Sequence, residues 1–137
     1  MPFRRNSRIA LAVVTALVAA AAGGVTFEYR HEQTQLRQRA EAITGGDAQR
    51  GAKLFAAFGC GACHAASGVP QAQGMVGPPL DTIGARAIIA GKLANNPDNL
   101  QRWIIDPQAI TPGTAMPRLG VRPDQARDLS AFLYTQT

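Results

Sequence analysis

The chain has 137 residues, a net charge of +5 and 46% apolar residues, which suits one ordinary domain plus an extension. The basic surplus is uneven: from Asp47 onward eight Lys and Arg face six Asp and Glu, so the excess belongs mostly to the first 46 residues. No basic stripe is interleaved with aromatics, which argues against nucleic acid as a partner.

Residues 1–8 carry three arginines, and residues 9–27 form a run of nineteen without a charge, rich in Ala, Val and Leu. As a helix this run is about 28 Å long, close to the hydrocarbon thickness of a bilayer. The arginines should stay on the cytoplasmic side, so residues 1–27 are predicted to be a single-pass anchor with the rest of the chain outside. The competing reading is a cleaved signal peptide, for which the alanines at 19–22 offer small residues at cleavage positions. The run continues past them to Phe27, and Tyr29 and Arg30 follow as interfacial anchors would, which favours the uncleaved helix.

Residues 28–46 form a polar connector with no Pro, and no Gly before Gly45-Gly46. It is expected to prolong the membrane helix outward as a stalk, with the glycine pair as a hinge. His31 reads as a solvated helix residue. Residues 47–137 are the expected domain. Asp47 is a good N-cap for a helix over 48–58 that ends at Gly59. Gly51 shares a face with Phe55, and a glycine inside a helix is costly, so it marks a close contact with another helix.

Next comes Cys60-Gly61-Ala62-Cys63-His64. Two cysteines two residues apart, followed at once by histidine, form the attachment signature of a c-type haem. Each thiol can add to one vinyl group, and His64 is then placed as the proximal iron ligand. The chain has two cysteines and two histidines, so a zinc site would lack a second ligand pair. A redox dithiol would want a βαβ pattern, which is missing. One covalent haem c is therefore the expected cofactor.

Residues 65–85 are rich in Gly, Pro, Ser and Gln and are expected to be an ordered loop. Asn96-Pro97 is an N-cap with Pro at the first helical position, and this helix should run to Ile105 and stop before Pro107. A Pro/Gly loop at 111–117 precedes a last helix from Pro123 to about Tyr134, with Ala126, Leu129, Phe132 and Leu133 on one face. No strand pattern is convincing, so the domain is predicted to be all-α. In about 90 residues a buried haem is a large part of the core, and the apoprotein should fold poorly.

Residues 47–137 resemble a class I cytochrome c, with helices wrapped round a covalent haem. The resemblance rests on Gly51 and Phe55 before the cysteine pair, Gly77-Pro78 after it, and Pro112-Gly113-Thr114-Ala115-Met116. More narrowly, VGPPLDTIGAR and NNPDNLQRWIIDPQAITPGTAMP are similar to the cytochrome c domain fused to subunit II of some bacterial haem–copper oxidases. The copper-binding domain of that family has no counterpart in these residues. The resemblance implies Met116 as the distal iron ligand. Met116 lies 52 positions after His64 in a Pro-rich loop, whereas Met75, eleven positions after it, is too close to cross to the other haem face easily. The resemblance further implies that the Pro78 carbonyl orients His64, that Arg86 approaches a haem propionate and that Trp103 packs beside the haem.

His/Met ligation fills both axial sites, which points to electron transfer rather than catalysis. By this resemblance the chain is expected to be a non-enzymatic electron carrier in a respiratory chain. It would sit in a bacterial inner membrane with its haem domain in the periplasm. Its donor would be a quinol-oxidising complex and its acceptor a terminal haem–copper oxidase, of which it could be a subunit. The alternatives are an acceptor subunit of a periplasmic dehydrogenase, or a peroxidase-like or ligand-sensing protein with an opened distal site.

Overall fold

The computed structural model describes residues 3–137, with side chains from Ser7 onward. Helix α1, Phe3–Thr44, takes in both the apolar run and most of the polar connector. It is long and apolar enough to cross a membrane, a test that a signal sequence also passes. The chain divides into two units between Gln35 and Leu36. In the first, the apolar side chains of α1 are exposed, and His31 stacks on Phe27 with ring centroids 6.3 Å apart.

The second unit begins with the last turns of α1. Ala40 and Thr44 are buried there, and Gln101 donates to the Thr44 carbonyl at 3.2 Å. Gly45, at φ +67°, ends the helix. Gly46 does not behave as the expected hinge. A β-carbon on it would lie 2.2 Å from the Arg127 carbonyl oxygen, so it is a packed corner where two backbones touch.

Helix α2, Ala48–Ala57, is capped by Asp47, whose carboxylate accepts from the Arg50 backbone N–H. Helix α3 runs Pro97–Ile105 and is capped by Asn96. It ends before Pro107 as expected, but the chain turns at once into a further short helix that was not expected, α4, Pro107–Ile110, capped by Asp106. Proline lacks only a donor that the first turn of a helix leaves unpaired, so it starts the second helix as readily as it ends the first. Helix α5, Pro123–Tyr134, closes the chain.

Helices α2 and α5 cross at Gly51. A β-carbon there would come within 1.9 Å of the Asp128 carbonyl oxygen, so only glycine permits the approach. Phe55 and Phe132 fill the crossing with ring centroids 5.5 Å apart and planes tilted by 60°, a favourable aromatic geometry. Asp128 pins the same crossing from its rim. Its carboxylate accepts from the Asp47 N–H at 2.7 Å and from Arg50 Nε and Nη2 at 2.9 and 3.0 Å. Around the crossing lies the core of Leu100, Ile104, Leu129 and Leu133.

Among the described residues four short strands appear that were not expected. Strand β1, His64–Ala65, pairs antiparallel with β2, Gln73–Met75, and β3, Ile88–Ile89, with β4, Leu93–Ala94. At two or three residues each they are too short to show a period of two, and the fold remains mostly helical.

Candidate functional site

The site starts where α2 stops. Gly59, at φ +70°, turns the chain into a short 3₁₀ turn over Cys60–Ala62, closed by the Cys63 N–H on the Cys60 carbonyl. The β1–β2 pairing then sets His64 opposite Met75. The Gly77 N–H donates to the Cys63 carbonyl at 2.8 Å, which folds the following segment back over the turn.

His64 is held from two sides. Its Nδ1 lies 2.8 Å from the Pro78 carbonyl oxygen. A carbonyl can only accept, so the proton sits on Nδ1 and the Nε2 lone pair is left free. Behind the ring, a β-carbon on Gly77 would stand 2.2 Å from Cε1, so glycine is required there by close approach.

Cys60 and Cys63 are half-buried and form no disulfide. Burial pushes the Cys60 thiol up to about 11, with the neighbouring Cys63 adding to the shift. A redox dithiol depends on a lowered thiol pKa, so the direction is wrong for that chemistry. Among the described residues, no three His, Cys, Asp or Glu side chains cluster as a metal site would require.

Cys60, Cys63, His64 and Met116 line one cavity of about 400 Å³. Pro78, Arg86 and Trp103 line it as well, so all seven residues singled out from the sequence meet at one place. Its apolar wall is the core itself, including Phe55, Leu100, Ile104 and Leu129. Met75 is 94% exposed and does not line the cavity.

Among the described residues, Arg86 is the only Lys, Arg, Asp or Glu on the wall. Its guanidinium donates to the Pro79 carbonyl and lies 3.4 Å from Thr82 Oγ1. The turn that carries it is fixed by Asn95, whose amide donates to the carbonyls of Ile83 and Arg86 at 2.7 and 2.8 Å. Tyr134 in turn donates to Asn95 at 2.8 Å. Thr111 also faces the cavity, and its buried hydroxyl has no partner among the described residues.

These residues fit a haem c. The free thiols, the imidazole lone pair of His64 and the thioether of Met116 are the donor chemistry that a covalent haem would call on. The orphaned Thr111 hydroxyl and the single cation suit a group that brings its own anionic acceptors into an apolar cavity.

The family profile described as Cytochrome c matches residues 48–137. The chain belongs to the cytochrome c family. Membership makes it an electron-transfer haem protein and implies a covalently bound haem c. The chain is also similar to proteins named cytochrome c oxidase subunit 2. It is 41% identical over 70 residues to that of Alkalihalophilus pseudofirmus, covering 51% of this chain and 20% of the relative. For Bacillus sp. strain PS3 the figures are 39% over 59 residues, covering 42% and 17%. For Bacillus subtilis they are 34% over 71 residues, covering 50% and 20%. The chain thus spans about a fifth of the length of these relatives. No solved structure matches.

The sequence offered no sign of Thr111, Asn95 or the close packing of Gly77 on the imidazole. Only the Gly77-Pro78 pair itself was visible, as a motif.

Proposed function

We propose that the chain is a membrane-anchored mono-haem cytochrome c that carries single electrons in a respiratory chain without catalysing a reaction itself. The observation that supports this is the convergence of Cys60, Cys63, His64 and Met116 on one cavity. Bound there, haem c supplies a one-electron iron couple.

Cys60 and Cys63 would hold the group covalently through their sulfurs. His64 would offer Nε2 to the iron, kept in orientation by the Pro78 carbonyl. Met116 would offer its sulfur to the same iron. An iron so held by two side chains would serve one-electron transfer rather than substrate binding. Arg86 would compensate the group's acidic charge, and Trp103 would supply part of the apolar wall against it. The relatives' name favours a terminal haem–copper oxidase as electron acceptor, with the chain as tethered carrier or oxidase subunit, and a quinol-oxidising complex as donor. Residues 9–27 anchor the chain in a bacterial inner membrane with the haem domain on the periplasmic side.

Met116→Ala tests the ligand set. The variant is expected to keep its covalent haem, to bind carbon monoxide when reduced, and to have a lower reduction potential than the wild type. Equal carbon monoxide binding by reduced wild type and variant would overturn the assignment and favour a ligand-binding protein.

A further inference from the structure

The segment 111–117 carries Met116 but makes few bonds of its own. The Thr114 N–H reaches the Thr111 carbonyl at 3.1 Å, and the Met116 N–H lies 3.5 Å from Thr114 Oγ1, longer than an ordinary hydrogen bond. At its base Arg118 pairs with Asp106 at 3.2 Å, but the Arg118 side chain is 66% exposed and such pairs contribute little.

What fills the loop is one side chain from α4. Gln108 Nε2 donates to the Thr114 carbonyl at 2.8 Å and to the Met116 carbonyl at 2.9 Å. Its Oε1 accepts from the Gly113 N–H at 3.0 Å. Two carbonyls can only accept and a backbone N–H can only donate, so the amide has one possible orientation. Both amide protons and the amide oxygen are committed to the loop, and one bond falls on Met116 itself.

We infer that Gln108 is the positioning residue for Met116, an internal amide clamp that keeps the distal loop closed on the cavity. The inference rests on the reading of Met116 as axial ligand. The clamp bears on the balance between Met116 held at the cavity and Met116 withdrawn from it. Gln108 favours the first through its three bonds to the loop backbone. Without them the withdrawn form gains population, and the distal position opens to small neutral ligands while the haem stays covalently held. Loss of these bonds should raise the open-to-closed ratio roughly 5- to 30-fold.

The test uses the full-length haem-loaded protein with Gln108→Leu, Gln108→Glu and, as reference, Met116→Ala. Leucine keeps the bulk and removes all three bonds. Glutamate keeps the acceptor for Gly113 but turns a carboxylate toward two carbonyls. Both are expected to bind carbon monoxide more tightly than wild type when reduced, and, in the oxidised protein, to weaken the band near the red edge of the spectrum that reports a Met–iron bond. In Gln108→Leu, which alone removes its acceptor, the Gly113 amide should also exchange with solvent roughly 5- to 30-fold faster, a readout that does not depend on the haem. If Met116→Ala opens the site and both Gln108 variants match wild type, the clamp is refuted and Met116 stands. If Met116→Ala matches wild type, the ligand reading fails and the clamp with it. Should Gln108→Leu not accumulate, Gln108→Glu carries the same comparison; if neither folds, Gln108 belongs to the fold and not to the positioning of Met116.

Discussion

A β-carbon placed on Gly77 would stand 2.2 Å from His64 Cε1 and 2.6 Å from Nδ1. One hydrogen atom thus decides whether the imidazole can keep its bond to Pro78. Gly77→Ala must either rotate His64 or displace the 77–78 backbone, and overpacking of this kind costs about 1–3 kcal/mol. The haem-loaded variant is expected to unfold at a correspondingly lower denaturant concentration, and an unchanged midpoint would show that the ring moves aside freely. The residues of this site differ in how readable they were. Cys60, Cys63 and His64 announce themselves because covalent attachment fixes their spacing, and Met116 sits within a motif. Gln108 and Thr111 gave no sign. One bonds to backbone atoms that any sequence would offer, and the other is defined by lacking a partner.

Among the elements, α2 and α5 are joined by a carboxylate that sequence periodicity places on a helix and cannot show to be buried. Asp128 lies beside Gly51, and the bond from the Asp47 N–H spans 81 positions. The Arg50 guanidinium holds the Asp128 carboxyl below the usual carboxylate range, with help from the Asp47 N–H and against the opposing effect of burial. A lowered folded-state pKa gives stability that is complete above the unfolded value, about pH 4, and is lost as pH falls through the lower folded value. Asp128→Asn is therefore expected to cost about 1–3 kcal/mol at neutral pH, since it leaves polar groups imperfectly paired. The gap between variant and wild type in urea unfolding should stay constant from about pH 5 to 8 and narrow below about pH 4. A gap that persists undiminished at about pH 3 would remove Asp128 from the pH dependence. Caps were legible at this scale, because Asp47 and Asn96 act on amides three positions ahead. Pro107 and Gly46 were not. A proline marks either end of a helix, and a glycine marks a flexible turn or a close contact, and only the neighbour decides which.

For the whole molecule, the connector is shorter than its composition suggests. Ala40 and Thr44 are buried in the second unit, and Glu41 accepts from the Ala48 N–H at 3.2 Å, so the last turns of α1 are part of that unit. If residues 9–27 lie in a bilayer, the free connector is residues 28–35. Eight residues reach at most about 28 Å even fully extended. Covalent length alone then confines the haem domain near the membrane, at an effective concentration of about millimolar toward a membrane-bound oxidase. A domain tethered in this way would have little need of long-range charge to find a partner, which suits eight basic against six acidic residues from Asp47 onward. Two outcomes are expected in native membranes. The protein stays with the membrane through high-salt and carbonate washes, and its electron transfer to the oxidase changes little with ionic strength. A mature N-terminus beginning after Ala20 or Ala22, with the haem protein in the soluble fraction, would make the residues before it a cleaved signal. The carrier would then diffuse, and its rate would depend on concentration and not on attachment.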